Sequence, residues 1–254
     1  EQEAIRLAER YGADDILTYV ISIVNSGPAP YTGLTMTDDL GAYTYGTGTL
    51  TPLTYVDGSL RYFVNGVLQA TPTPTADAPL TVPGIAVPAG GNALMIYETR
   101  VNSFAPLDTE STVTNTATLS GAGLTTPVQA ASTVNARAAA YLTIGKAVSP
   151  ATVAENGTLT YTFTIQNYGN TAAAETDNVT VSDTFSPILK AISVTYNGVA
   201  WTEGTQYTYN TATGAFATTA GQITVPAASL TRDAATGAVV VTPGISTLTV
   251  TGPV

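Results

Sequence analysis

The chain contains no cysteine and no histidine, and only 8 of its 254 residues are lysine or arginine. Without cysteine, neither disulfide bonds nor thiolate metal sites can form. Without histidine, the side chain that most often acts as a general base is missing. There is also no Gly-x-Ser-x-Gly motif and no phosphate-binding Gly-Lys-Ser/Thr loop. These absences argue against an enzyme.

Charge is scarce and mostly negative. Charged residues make up 10% of the chain, and 18 acidic residues against 8 basic ones leave a net charge of −10. Such a charge repels phosphate backbones and anionic membrane surfaces. No apolar run approaches the roughly 20 residues of a membrane-spanning helix. We therefore expect no nucleic-acid partner and no membrane insertion, and the low charge and many threonines favour an exported, extracellular protein.

Alternation with a period of two dominates what is present. Leu17 to Ile23 and Leu159 to Ile165 both alternate between apolar and polar residues, as strands with one buried face do. Hydrophobic residues make up 44% of the chain, enough to form a core. Turn residues recur about every 8–12 positions between β-branched and aromatic runs. The pattern predicts an all-β sandwich or barrel.

One strand and turn occurs twice. ILTYVISIVNSG (Ile16 to Gly27) matches TLTYTFTIQNYG (Thr158 to Gly169) at an offset of 142 residues. GLTMTDDL (Gly33 to Leu40) matches NVTVSDTF (Asn178 to Phe185) at an offset of 145. Such offsets are about one domain long, and their drift indicates insertions in loops. The sequence therefore predicts two sandwich repeats, residues 1–137 and 138–254.

Two Asn-Gly pairs indicate tight hairpins. Asn65-Gly66 and Asn197-Gly198 each lie between alternating runs. A type I′ turn needs a positive φ at both central residues, which Asn and Gly tolerate best. We predict two-residue hairpins at both places, and longer hairpin loops closed by Gly within 209–216 and 232–239.

The start of the chain gives conflicting signals. Ile5 to Glu9 can be aligned with Leu142 to Lys146 as a first strand. However, EQEAIRLAERYG is rich in helix formers, and Gly12 is placed like a helix C-cap. We give the repeat more weight and predict a strand.

The repeats differ at their ends. Repeat one closes with segments 92–102 and 111–121, which we interpret as its last two strands. The C-terminus of repeat two resembles the first of these segments, with Leu94 and Ile96 opposite Leu248 and Val250. On this alignment repeat two is one strand short and has an open sheet edge.

A rival alignment leaves that interpretation open. It matches ITVPA (Ile223 to Ala227) to IAVPA (Ile85 to Ala89). The C-terminus would then supply the last strand of repeat two.

The matched segments, together with STVTNTATLSG (Ser111 to Gly121), resemble a large family of bacterial and archaeal cell-surface repeats, in two tandem copies. The family is catalogued as domain of unknown function number eleven. Its pattern is an opening strand with Lys, a "tYtitvtNtG" strand and turn, a "vtvtDtlp" strand and a closing "itNtAtv" strand. Repeat one matches at Tyr19, Asn25, Gly27, Asp38, Asn115 and Ala117, and repeat two at Lys146, Tyr161, Asn167, Gly169 and Asp183.

The resemblance has two departures. Repeat one has Glu9 where the alignment expects the lysine, and repeat two lacks the closing strand. The family implies immunoglobulin-like β-sandwiches in extracellular or cell-wall proteins that act as stalks, coats or adhesins. It implies no enzymatic activity.

Lys146 is one of two lysines in the chain. In some surface-protein sandwiches, a first-strand lysine condenses with a last-strand asparagine beside a buried acid, giving an isopeptide clamp. Repeat one has Asn115 but no such lysine, and repeat two has Lys146 but no closing asparagine. An internal clamp is therefore disfavoured, and a snorkelling or capping lysine is the favoured interpretation.

Other side chains carry weaker signals. Asp14-Asp15 and Asp177-Asn178 offer oxygen ligands to Ca²⁺, but neither forms a recognisable calcium loop, so we predict no cofactor. Trp201 and the many tyrosines have the shape of a sugar-binding platform. Such residues are more often cross-strand pairs.

The sequence favours a non-enzymatic structural protein that builds a surface stalk, coat or fibre. An incomplete second repeat would accept a strand from a neighbouring subunit, head to tail, giving a homopolymer through exposed sheet edges. The residues expected at such contacts are Ile5, Leu7, Leu248, Val250 and Val254.

The alternative is an adhesin or a carbohydrate-binding module with a glycan partner. Its basis is the Tyr- and Gly-rich segment from Gly41 to Tyr55, which repeat two lacks. Loops of this kind on a rigid scaffold are common binding sites.

Overall fold

The computed structural model describes residues 10–254 and the backbone of residues 2–6. Over these residues the regular structure is β-strand apart from a 3-10 turn at Glu175–Asp177. Contacts divide the chain into two compact units. Unit 1 comprises Glu1–Arg137 and Thr231–Val240, and unit 2 comprises Ala138–Leu230 and Val241–Val254.

Unit 1 is a sandwich of two six-stranded sheets. Its strands are β1 (Gln2–Arg6), β2 (Arg10–Tyr11), β3 (Ile16–Val24), β4 (Tyr31–Asp38), β5 (Tyr43–Tyr45), β6 (Gly48–Leu50), β7 (Leu53–Tyr55), β8 (Arg61–Val64), β9 (Val67–Leu68), β10 (Ala76–Asp77), β11 (Leu80–Val87), β12 (Asn92–Val101), β13 (Thr112–Ser120) and β14 (Val128–Ala136). One sheet has the order β1-β3-β12-β8-β9, with β7 also paired to β12. The other has the order β10-β11-β4-β13-β14-β2, and β5 pairs with β6.

The strands that follow form smaller sheets. They are β15 (Leu142–Ser149), β16 (Thr158–Asn167), β17 (Ser182–Thr184), β18 (Ser193–Tyr196), β19 (Val199–Trp201), β20 (Tyr207–Asn210), β21 (Ala215–Thr218), β22 (Ser229–Arg232), β23 (Val239–Thr242) and β24 (Gly244–Pro253). Unit 2 packs the five-stranded sheet β15-β16-β24-β18-β19 on the three-stranded sheet β17-β21-β20. Strands β22 and β23 pair with each other.

Each unit has its own core between its two sheets. Along β3, Leu17, Tyr19 and Ile21 are at most 1% exposed, because the alternation puts them on one face. The corresponding residues of β16 are also buried. The predicted fold class, two tandem immunoglobulin-like β-sandwich domains, is confirmed.

The repeated turn has one physical cause in both units. The side-chain amide of Asn25 donates to the carbonyl of Pro88 at 3.0 Å, and its oxygen accepts from the amide two residues later at 2.9 Å. Asn167 makes the same two bonds, to the Pro226 carbonyl at 3.1 Å and from the amide two residues later at 2.9 Å. The asparagine therefore satisfies buried backbone groups of two chain segments at once.

The hairpins also form as predicted. Asn65 and Gly66 have φ of 47° and 79°, and Asn197 and Gly198 have φ of 49° and 80°. Each pair joins two adjacent antiparallel strands. The positive φ at both positions is that of a type I′ turn.

The first strand forms, but in a different register from the predicted one. Strand β1 pairs with β3, with Ala4 opposite Ile21, while Lys146 in β15 lies opposite Phe163 in β16. Since Ile21 and Phe163 are equivalent, Ala4 takes the lysine position and the alignment with Glu9 was wrong. Pairing with β3 overrides the helix propensity of this segment.

The register at the other end also differs by one residue. Tyr97 lies opposite Tyr19 in unit 1, and Val250 lies opposite Tyr161 in unit 2. Val250 is therefore the counterpart of Tyr97 and not of Ile96, and Leu248 that of Met95 and not of Leu94. A shift of one residue exchanges the two faces of a strand, and the inward faces decide the register.

Repeat one has a further strand after the two that were predicted to close it. Strand β14 follows β13 and pairs with both β13 and β2. Its sequence, VQAASTVNA, is short of large apolar residues, and its N-terminal half is largely exposed. The pattern therefore gave no strand signal.

The rival alignment is correct in its first half only. Pro88 and Pro226 are equivalent, because each accepts the same asparagine hydrogen bond. The hairpin β22–β23 is inserted after Pro226. Strand β24 pairs with β16 and β18 as β12 pairs with β3 and β8. The C-terminal strand is thus the counterpart of β12 and not of a closing strand.

One segment is grouped differently from the predicted bounds. Thr231–Val240 belongs to unit 1, although it lies within the predicted second repeat. Arg232 donates to the carbonyl of Phe104 at 3.2 Å, and the amide of Val239 donates to the carbonyl of Ser103 at 2.7 Å. These bonds account for the grouping.

Candidate functional site

Strand β17 is the place where the two units differ most. Its counterpart in unit 1, β4, runs over eight residues and pairs with β11 on one side and β13 on the other. In the described part of the chain, β17 has three residues and pairs with β21 alone. Its other edge therefore exposes backbone donors and acceptors.

The inner face of β15 is uncovered at the same place. Ile144 and Val148 lie opposite Ile165 and Tyr161 of β16, so they share the core-facing side. Ile165 and Tyr161 are 3% and 5% exposed, whereas Ile144 and Val148 are 56% and 44% exposed. Apolar side chains on the core-facing side of a strand are normally covered by another segment, and here no described segment covers them.

Lys146 lies between these two residues on the same face. Its ammonium group forms an ion pair with the carboxylate of Asp183 in β17. Lys146 Nζ lies 4.8 Å from the centroid of the Tyr161 ring and 5.7 Å from that of Phe185. The lysine thus bridges the two sheets at the open edge.

In unit 1 the corresponding acid is fully covered. Asp38 has no exposed surface and accepts hydrogen bonds from the Tyr97 hydroxyl and, at 2.8 Å, from the side-chain amide of Asn115 in β13. Burial raises the pKa of Asp38 to about 6, against the lowering effect of these bonds. Burial and the neighbouring Asp38 raise the pKa of Tyr97. Asn115 also accepts from the amide of Gly41 at 3.1 Å.

The predicted contact residues lie elsewhere. Leu248 and Val250 have no exposed surface, and β24 is paired on both sides, so the prediction that they form an interface was wrong. Val254 packs on the core of unit 2. The backbone of Ile5 pairs with Val20, and Leu7 lies outside the described residues. The open edge is in the opposite sheet, which repeat alignment alone did not locate.

A signal for this edge was present in the sequence. Ile144, Lys146 and Val148 follow each other with a period of two, which puts the lysine on the apolar face. A lysine on an inward face needs a partner, and Asp183 is the acid of the repeated "vtvtDtlp" segment. The ion pair was missed because the two residues belong to different sheets.

The segment from Gly41 to Tyr55 is a hairpin followed by a strand, not an irregular loop. The Tyr43 hydroxyl donates to the Phe104 carbonyl at 2.6 Å. The Arg232 guanidinium lies 5.7 and 5.4 Å from the ring centroids of Tyr43 and Tyr45. These contacts occupy the aromatic rings, and glycan binding by this segment stays a prediction.

The other aromatic candidates pack within unit 2. Trp201 stacks on Tyr196 with centroids 4.8 Å apart. Tyr207 is 4% exposed and contacts Phe216. These rings belong to the core or its margin, the more common role for such residues.

The proposed calcium residues have partners of other kinds. Asp15 accepts from the amide of Gly12 at 2.8 Å and pairs with Arg137 at 3.0 Å. Asp177 accepts from the amide of Ala174 at 2.8 Å. Among the described residues no group of three or more acidic, His or Cys side chains is placed to hold a metal. That these residues bind no cofactor stays a prediction.

Unit 1 also contains a mostly apolar cavity of about 350 Å³ at the Asn25 turn. Ile23, Val87, Leu119 and Val128 contribute to its wall. No Asp, Glu, Lys or Arg side chain among the described residues lines it.

Within residues 2–6 and 10–254 no helix has the length and apolar character needed to cross a membrane.

Comparison with known proteins gives distant structural similarity only. No protein-family model and no curated protein matches the chain. The collagen-binding domain of a Staphylococcus aureus adhesin is 12% identical, over 47% of this chain and 87% of its own, with a TM-score of 0.31. The pilus backbone protein RrgB from Streptococcus pneumoniae is 10% identical, over 93% of this chain and 50% of its own, with a TM-score of 0.31.

A type II cohesin dyad from the adaptor scaffoldin ScaA of Acetivibrio cellulolyticus is 12% identical. The match covers 99% of this chain and 84% of that one, with a TM-score of 0.25. Similarities at this level say nothing about a shared ligand or activity.

Proposed function

We propose that the chain is a non-enzymatic extracellular structural protein, built from two repeats of the "domain of unknown function eleven" type, that forms a surface stalk, coat or fibre. Its subunits join when one donates a strand to the open edge of unit 2 in another copy. The observation that carries this proposal is the unpaired edge of β17 beside the exposed, core-facing Ile144 and Val148.

Unit 1 supplies the pattern for the missing strand. Strand β13 pairs antiparallel with β4, with Ala117 opposite Asp38 and Leu119 opposite Met36. Its inward residues Val113, Ala117 and Leu119 are at most 3% exposed. A donor strand with this alternation would cover Ile144 and Val148 and pair with β17, as β-strand addition does in other proteins.

The donor contact is heterologous, because one subunit contributes the open edge of β17 and the other contributes a strand. Heterologous contacts extend into open filaments unless the rotation closes a ring. The net charge of −10 makes a neutral Thr-rich strand a better partner than an acidic one. A free peptide with the sequence of β13 stands in for such a donor, because β13 itself is already paired with β4 and β14 within unit 1.

The first test is uptake of a synthetic STVTNTATLSG peptide, the sequence of Ser111–Gly121, by the purified chain. Hydrogen exchange is expected to slow at Ser182–Thr184 when the peptide is present. Thr35–Thr37 of β4 are the internal control, because that segment is already paired on both sides. Unchanged exchange at Ser182–Thr184 would reject strand uptake.

A pair of variants tests the face of β15. Ile144→Asp puts a charge on the core-facing side and should abolish peptide uptake. Thr143→Asp puts the same charge on the opposite face of the same strand and should leave uptake intact. Equal effects of the two variants would mean that the peptide does not cover this face.

Electron microscopy tests the assembly itself. Negatively stained native material is expected to show filaments with a regular axial repeat about two sandwiches long. Dispersed two-lobed particles in the native material would contradict the fibre and favour the adhesin alternative, to be followed by a glycan screen.

A further inference from the structure

The asparagine turn of unit 2 is covered by the segment that leads into β15. We call residues 138–141 of unit 2 the entry segment. The amide of Tyr141 donates to the side-chain oxygen of Asn167 at 3.0 Å. The carbonyl of Tyr141 accepts from the amide of Tyr168 at 2.9 Å. The entry segment is therefore bonded to the turn by its backbone.

The close approach of the entry segment is the reason for a glycine at position 169. Neither Gly169 nor Gly27 is among the glycines with a positive φ, so the backbone conformation does not require glycine at either place. A Cβ at Gly169 would lie 2.1 Å from the carbonyl oxygen of Ala139 and 2.7 Å from the Cα of Ala140. Only glycine leaves room for the entry segment at this distance.

Unit 1 has the same glycine without this cover. Among the described residues, a Cβ at Gly27 would have only the side-chain oxygen of Asn25 within 4 Å, at 3.2 Å. Gly27 also forms part of the wall of the 350 Å³ cavity, together with Val24, which is 53% exposed. A segment packed over Gly27 would account for the glycine, as it does in unit 2.

The amides that bond to the entry segment in unit 2 have open counterparts in unit 1. In unit 2 the amide of Thr171 donates to the carbonyl of Ala139 at 3.3 Å. At the offset of 142, Ser26 corresponds to Tyr168. Ala29 corresponds in the same way to Thr171. Within the described part of the chain, the amides of Ser26 and Ala29 are exposed and have no hydrogen-bond partner.

The strand register indicates where a cover for this turn would come from. Gln2 of β1 lies opposite Ile23. Ile144 of β15 lies opposite the equivalent residue, Ile165, so β1 and β15 are equivalent strands. The entry segment leads directly into β15. Its counterpart in unit 1 would lead directly into β1, just ahead of Glu1.

We propose that the Asn25 turn of unit 1 is a docking site for the connecting segment of a preceding domain, which continues into β1 as the entry segment continues into β15. The occupant has small side chains, like the alanines of the entry segment, because its backbone must pass against Gly27. It supplies one amide to the side-chain oxygen of Asn25 and carbonyls to the amides of Ser26 and Ala29. This inference concerns unit 1 and does not need strand uptake by unit 2.

Apolar contacts would add to these hydrogen bonds. Ala140 and Leu142 pack on the core of unit 2, and Leu142 lies opposite Asn167 at the end of β16. The cavity of unit 1 is at the same end of the sandwich, since Ile23 and Asn25 line it. Side chains at the two equivalent positions of a docked segment would cover part of its apolar wall, which is favourable in water.

An N-terminal extension of the full chain tests the proposal. The sequence RAAAYL, which precedes Thr143 in unit 2, is placed directly before Glu1. Exchange of the Ser26 and Ala29 amides, followed by NMR, is expected to slow by about fivefold, the effect of one hydrogen bond of ordinary net strength. The amide of Tyr168 is the internal reference, because it is already bonded in unit 2. Unchanged exchange at both Ser26 and Ala29 would overturn the proposal.

Two variants of the extended chain test the position over Gly27. Gly27→Ala puts a methyl group where the backbone of the segment must pass, so the slowing of exchange is expected to disappear. Ser26→Ala is the matched control, because it changes an exposed side chain of the same turn and keeps its amide; the slowing should persist. Slow exchange in Gly27→Ala, or its loss in Ser26→Ala, would contradict docking over Gly27.

A change in the extension tests the same contact without altering unit 1. The extension RAAAPL has no amide at the position that bonds to Asn25, so it should slow exchange less than RAAAYL does. Equal slowing would overturn the assigned hydrogen bond.

The free peptide RAAAYL tests whether the segment must be continuous with β1. At a concentration equal to that of the chain, the free peptide should leave exchange at Ser26 and Ala29 unchanged. Slowing by the free peptide, but not by the extension, would overturn docking by a segment that leads into β1.

Discussion

In unit 1 the carboxylate of Asp38 lies beneath β13 and bonds to Tyr97 and Asn115, whereas in unit 2 that of Asp183 pairs with Lys146 at an edge that no described strand covers. The two units share the strand pair that begins the sandwich, the asparagine turn and the acid. They differ in the second sheet, which has six strands in one and three in the other. The sheet that contains β3 or β16 is therefore the more similar one between the two repeats, while the second sheet differs in its number of strands.

Larger side chains accompany the smaller sheet. Phe163 stands where unit 1 has Ile21, as the strand pairing shows, and Phe185 where the sequence offset of 145 puts Leu40. Phe185 is 1% exposed and stacks on Tyr161 with centroids 4.6 Å apart. Aromatic rings bury more area per residue than Leu or Ile, so each adds more to the core of unit 2 than the aliphatic residue at the same position adds to the core of unit 1.

The largest expected effect comes from weakening the covering strand of unit 1. Leu119→Ala removes a side chain that is 3% exposed and should lower the free energy of unfolding of unit 1 by about 2–5 kcal/mol. Ile144→Ala in unit 2 removes a side chain that is 56% exposed and should cost less than about 0.5 kcal/mol. Calorimetry that resolves the two unfolding transitions makes the comparison, and equal shifts would contradict it.

The second largest effect is expected from pH, which should change the stability of unit 1. The pKa of Asp38 is raised from 3.8 to about 6 by burial, so between these values the folded state holds a proton that the unfolded state has released. Raising the pH through this window should therefore destabilise unit 1, by about 3 kcal/mol in total. The unfolding midpoint of unit 1 at pH 4 and pH 7 measures this.

Asp38→Asn provides the control for the pH effect. The variant should remove most of the change in stability between pH 4 and pH 7, because the ionisable group is gone. If the variant keeps the pH dependence of the unaltered chain, the effect belongs to other carboxyl groups.

The shared turn should respond unequally to one substitution. A Cβ at Gly169 would lie 2.1 Å from the carbonyl oxygen of Ala139, whereas a Cβ at Gly27 would lie 3.2 Å from the side-chain oxygen of Asn25. Gly169→Ala should cost about 1–3 kcal/mol because backbone must move, and Gly27→Ala should cost less. Chemical denaturation of both variants checks this, and a larger loss for Gly27→Ala would refute it.

The smallest effect is expected at the lysine. In the absence of a donor strand, Lys146→Met should change the free energy of unfolding of unit 2 by no more than about 1 kcal/mol, because the ion pair with Asp183 is partly exposed. Denaturant midpoints give the value. A much larger loss would mean that the pair stabilises unit 2 more than a partly exposed ion pair is expected to.

Features that depend on neighbours in sequence were predictable. Alternation predicted the strands β3 and β16, since the period of two is a property of an extended chain. The Asn-Gly hairpins followed from the φ that those two residues tolerate. The asparagine turns were recognised as a repeated pattern, although their hydrogen bonds to Pro88 and Pro226 were not.

Features that depend on pairing between distant segments were not predictable. Strand β14 has few large apolar residues and forms because β13 offers a long edge to it. Leu248 and Val250 were expected at an interface, but the register of β24 and its two neighbours bury them. A repeat alignment carries an uncertainty of one residue, and that is enough to exchange the faces of a strand.

The sequence by itself determined the fold class, the duplication and the absence of His and Cys chemistry, because these depend on composition and on local periodicity. Only the tertiary structure decided which sheet of unit 2 is open and which acid meets Lys146. Residues in different sheets are brought together by the packing of the whole sandwich, and a short-range sequence pattern carries no information about such contacts.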